Sequence, residues 1–165
     1  MRKLILSILI LTFGFTRALP QDLLGFENIA RNESLDYKNS EKIALGAASF
    51  LLSTAIDSAQ NERDKAVTYM LMWMEGTPDY VFYIDENVNF LTRSNNSLLA
   101  IYMAGLTKLS LENPELSNKR NDIKYRSLQL FIQYCSNPAY HVKTYKQLER
   151  LIKANEKGRL SDYIE

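Results

Sequence analysis

The chain reads as an all-α protein, a bundle of about five helices or a short array of helical hairpins behind a cleavable leader. Three observations predict this. Apolar residues recur at i, i+3, i+4 and i+7 through several long segments, the spacing of one helix face. Helix-stopping sequences, Gly76-Thr77-Pro78, Asn113-Pro114 and Asn137-Pro138, close three of them. Only Tyr80 to Ile84 is rich in strand-favouring residues, and no convincing second strand exists to pair with it.

In chain order, residues 1–18 have the grammar of a secretory signal. Arg2 and Lys3 give a positive start, and Leu4 to Phe15 carry no charge. Thr16-Arg17-Ala18 is a small-x-small site with cleavage expected after Ala18. The apolar core is shorter than the roughly 20 residues a bilayer span needs. Residues 19–39 read as a linker or a short helix. Leu23, Leu24, Phe26 and Ile29 suit a turn or two, and Asn32 to Asn39 is polar. Residues 40–165 then form the single helical domain.

The first helix is expected to start at Ser40, an N-cap residue followed by Glu41. Gly46, Ala47 and Ala48 are small enough for a neighbouring helix to approach closely. The second spans about Asn61 to Glu75. Val67, Met70, Leu71 and Met74 make its apolar face, widened by Ala66, Tyr69 and Trp73. Residues 79–92 read as an extended or irregular aromatic segment packed on the helices, then a short helix near Glu86 to Leu91. Asp85-Glu86-Asn87 reads as a helix-start cluster, because the calcium-loop pattern lacks its glycine and closing glutamate. Ser97 to Leu111 has the widest apolar surface, which predicts a central helix. In the next helix, Asn121 to Cys135, the face is Leu128, Phe131, Ile132 and Cys135. The last main helix is expected from Thr144, with Thr144 and Gln147 forming a capping box. Gly158 closes it, and Leu160, Tyr163 and Ile164 can fold a short tail back onto the core.

Composition excludes several kinds of chemistry. The chain has 20 Lys and Arg against 19 Asp and Glu. The leader takes Arg2, Lys3 and Arg17 and no acid, so the remainder is weakly acidic and lacks the basic stripe that nucleic acid requires. With one histidine, His141, and one cysteine, Cys135, a transition-metal site cannot be filled. Cys135 reads as a core residue rather than the partner of His141 in a catalytic dyad. No glycine-rich phosphate loop is present. No cofactor and no metal are therefore expected, and no catalytic residue stands out. A single cysteine also forbids an intrachain disulfide, which suits export to a bacterial envelope better than an animal secretory route.

One corner concentrates chemistry-bearing residue types. Glu75, Asp79, Asp85 and Glu86 lie close in sequence and are flanked by Trp73, Tyr80, Phe82 and Tyr83, carboxylates beside aromatic rings of the kind that stack on sugars. Ligand-binding candidates are thus Trp73, Glu75, Asp79 and Tyr80.

The stretch Trp73-Met74-Glu75-Gly76-Thr77-Pro78-Asp79-Tyr80 resembles a group of small exported helical proteins of Bacteroidota that share a WMxGTPDY motif. The likeness extends through Leu99-Ala100-Ile101-Tyr102-Met103 and Tyr134-Cys135-x-Asn137-Pro138 to Gly158-x-Leu160, most of the chain after the leader. The resemblance implies a periplasmic or secreted protein of a Gram-negative bacterium and carries no activity with it. The leading expectation is a non-enzymatic interaction module whose partner is another envelope protein, with no membrane span after signal cleavage and no nucleic acid. The alternatives are a small-ligand binder or weak hydrolase at the Trp73–Glu86 corner, and a periplasmic inhibitor or immunity protein.

Overall fold

Residues 36–93 and 95–164 are described in a computed structural model of the protein. The expected leader, residues 1–18, and residues 19–35 lie outside them. The described residues form six α-helices: α1 (Glu41–Ser53), α2 (Gln60–Gly76), α3 (Glu86–Thr92), α4 (Asn96–Glu112), α5 (Arg120–Ser136) and α6 (Lys146–Glu156). Short 3₁₀ turns follow at Pro114–Leu116, Pro138–Tyr140 and Leu160–Tyr163. Among the described residues there is no strand, so the all-α reading holds.

The central helix is α4. Its face from Leu98 through Ile101, Tyr102 and Leu106 is buried, and it packs most extensively against α1 and α5. Ala44, Ala47 and Ala48 of α1 are completely buried and keep that helix close to its neighbours. Gly46, expected to share in this, faces open space instead. A turn of 100° per residue carries it away from the Ala44-Ala48 face. Trp73, Tyr102 and Phe131 are the largest fully buried side chains. Each buries enough apolar surface to contribute about 3 kcal/mol or more.

On α2 the buried face is Ala66, Tyr69, Met70, Trp73 and Met74. Leu71, expected inside, is exposed. Two residues along a helix is about 200° of rotation, so once Trp73 points into the core Leu71 must point away.

The helix ends show both agreement and correction. Asp85 caps α3 as expected, its Oδ1 accepting from the Val88 N–H at 3.1 Å. Ser40 occupies the N-cap of α1, but its hydroxyl makes no capping bond there. Of the segment before it only residues 36–39 are described, and these are turned back, with Ser40 N–H bonded to Asp36 C=O at 2.9 Å. The Thr144–Gln147 capping box does not form. Tyr145 is the N-cap of α6, and its hydroxyl donates to the Leu91 carbonyl, which fixes where the helix starts. Gly158, at φ +67°, ends α6. Beyond it Leu160 is buried and the Ile164 carbonyl accepts from Lys124 Nζ at 3.0 Å, so the tail does fold back.

Candidate functional site

The Trp73–Tyr80 corner is occupied by the chain itself. The Trp73 ring is fully buried, and its Nε1–H donates to the Tyr37 carbonyl at 2.9 Å. Tyr37 lays its phenol ring over Gly76, where any Cβ would overlap it. Tyr80 packs on Trp73 with ring centroids 5.6 Å apart. Burial, then the Glu41 carboxylate, raises the pKa of the Tyr80 phenol. The two aromatic candidates thus clamp the turn that enters α1. Glu75 and Asp79 lie on exposed surface, without the protected surroundings that acid–base work requires. The structure brings Trp73 and Tyr80 together and leaves both carboxylates outside.

From Tyr80 the chain runs extended to Asp85. Tyr80 and Phe82 turn inward and stack at 6.3 Å, with Phe82 6.0 Å from Trp73. Val81 and Tyr83 turn outward, 62% and 49% exposed, and Ile84 is 38% exposed. This is the period-2 alternation of a strand. Among the described residues, no backbone N–H or C=O of Val81–Ile84 has a hydrogen-bond partner.

Asp85 then begins a cleft of about 550 Å³, lined by Asp85, Glu86, Asn87, Arg120, Asn121 and Ile164. Buried Lys124 ties two of these residues together, reaching Asp85 Oδ2 at 2.5 Å and the Ile164 carbonyl at 3.0 Å. Burial pushes the Asp85 pKa up, but Lys124 and the Val88 amide together outweigh it and hold the group below its ordinary value. Both Asp85 oxygens are therefore committed. Arg120 sits over the Tyr83 ring, 4.5 Å from its centroid.

No family model, no curated protein and no solved structure matches the chain significantly. The site must be read from its own chemistry.

At the opposite end of α5, Tyr134 donates to the Thr54 carbonyl at 2.8 Å. Buried Arg63 reaches the same carbonyl at 3.2 Å, Thr54 Oγ1 at 2.8 Å and Leu51 C=O at 3.3 Å. The last turn of α1 contains no basic residue, and Arg63 supplies from α2 the cation that a helix C-terminus favours. His141 and Asp57 pair at 3.0 Å on the surface. Cys135 is buried, and burial pushes its thiol up to about 12, far from nucleophilic at neutral pH.

Sequence reasoning missed Arg120, Asn121 and Lys124. Lys124 left a signal: it lies one turn before Leu128, so extending the apolar face of α5 backwards places an ammonium in the core. Arg120 and Asn121 left none, because nothing local says that the start of α5 meets the start of α3.

Proposed function

We propose that this is a secreted or periplasmic helical protein of a Gram-negative bacterium, acting by protein contact rather than catalysis. Its contact face is the extended segment Tyr80–Ile84. One observation carries this reading: Val81, Tyr83 and Ile84 expose apolar side chains from a backbone whose amides and carbonyls have no partners among the described residues. Such an edge is a template for strand addition. The partner is an envelope protein that supplies an extended strand with apolar residues at alternate positions, which would satisfy the free backbone and cover Val81 and Tyr83 together.

Export is supported by the Arg2-Lys3 start, the uncharged Leu4–Phe15 run and the Thr16-Arg17-Ala18 site. The resemblance to small exported proteins of Bacteroidota points the same way. Among the described residues no helix is long and apolar enough to cross a membrane.

Photo-crosslinking tests the contact reading. A photoreactive side chain replaces Tyr83 in one variant and Gln129, exposed on α5, in another. A discrete adduct of one mass from position 83 and none from position 129 is expected in the producing cells. No adduct at 83, or the same products from both positions, overturns the contact face.

A further inference from the structure

We infer that the cleft between the starts of α3 and α5 binds a small zwitterion, a molecule carrying a carboxylate and an ammonium group. Its volume, about 550 Å³, lies in the range of small-molecule sites. Its charges are of two kinds. Asp85 is paired with Lys124 behind the cleft and both are bonded within the protein, so that charge is already satisfied. Arg120 and Glu86 also line the cleft, and among the described residues neither has an ion-pair partner. The Tyr83 ring beneath the Arg120 guanidinium holds it in place while leaving its N–H donors without a carboxylate. A guanidinium so placed is suited to a carboxylate, which it can bind through two parallel hydrogen bonds. The Glu86 carboxylate suits an ammonium. Asn121 adds an amide group that can donate or accept at the same wall.

Side-chain selectivity should be slight. The crevice beside the cleft, walled by Val81, Leu106 and Ile123 together with Asp85, Arg120 and Lys124, offers only about 10 Å³. That is room for one water at most, so no ligand side chain enters it. Both ion pairs form at an open surface, so the affinity expected is weak, with Kd of about 0.1–1 mM.

The test uses the purified full chain without any partner protein, so its outcome is independent of the contact face. Amide NMR shifts are followed during titration with alanine, with dialanine, and with the N-acetylated and C-amidated forms of each. Saturable shifts confined to residues 83–87, 120–124 and 164 are expected for the unmodified forms. Whichever of alanine and dialanine binds more tightly identifies a free amino acid or a short peptide as the source. Acetylation, amidation, Glu86→Gln and Arg120→Gln should each weaken binding about fivefold or more. Both side chains are exposed, so circular dichroism of the two variants should match the parent. The inference is overturned by the absence of saturable shifts up to about 20 mM ligand. It is equally overturned if acetylated or amidated forms bind as well as the parent, or if either substitution leaves binding unchanged.

Discussion

Trp73 shows what a single residue does here. Its ring fills the centre of the core while its one polar atom is paired with the Tyr37 carbonyl. Trp73→Phe keeps most of the apolar volume but removes the donor and leaves a small void. It should lower stability by about 2 kcal/mol, read as a lower urea midpoint at unchanged slope. Asp85 makes a pH-dependent contribution. Its folded pKa is depressed, so its stabilisation is present above the unfolded value near 3.8 and is lost as pH falls through the lower folded value. Asp85→Asn should therefore be less stable than the parent at neutral pH, and the gap should close below about pH 3.8 in urea titrations. Cys135 offers a third check. With its thiol pushed up to about 12 by burial, it should react with a thiol reagent at pH 8 only as fast as the domain opens. Immediate labelling of the native protein would contradict that placement.

Elements were legible in the sequence where one face had to be buried, and less so where the partner was distant. Asn96–Glu112 and Arg120–Ser136 fall within a residue of their expected bounds, because the periodicity is strong and an Asn-Pro stop closes each one. The α6 cap was misplaced because the Tyr145 hydroxyl answers to Leu91, a contact that no local pattern announces. The candidate corner shows the same limit. Its aromatic rings were found, but the turn that covers them comes from Tyr37, and the Arg120 and Lys124 groups of the neighbouring cleft come from α5. Helix glycines give a paired prediction. Gly46 has nothing within 4 Å of a would-be Cβ, so Gly46→Ala should stabilise by about 0.5–1 kcal/mol through helix propensity alone. Gly76→Ala should destabilise, because the Tyr37 ring must leave its place. Thermal melts of the two should shift in opposite directions.

For the whole molecule, the described helices close around α4, and one extended edge has no backbone partner among the described residues. The proposed export is checked by the mass of protein recovered from the envelope or medium, which should begin at Leu19. Full-length protein confined to the cytoplasm would refute it. The central structural claim, that Val81–Ile84 is presented rather than buried, is tested most directly by amide hydrogen exchange of the protein alone. Exchange at Val81–Ile84 should be complete within seconds while the amides of α4 remain protected, since only the latter lie in hydrogen-bonded buried backbone. Protection at Val81–Ile84 equal to that of α4 would mean the edge is already paired, and the account of the contact face would be wrong.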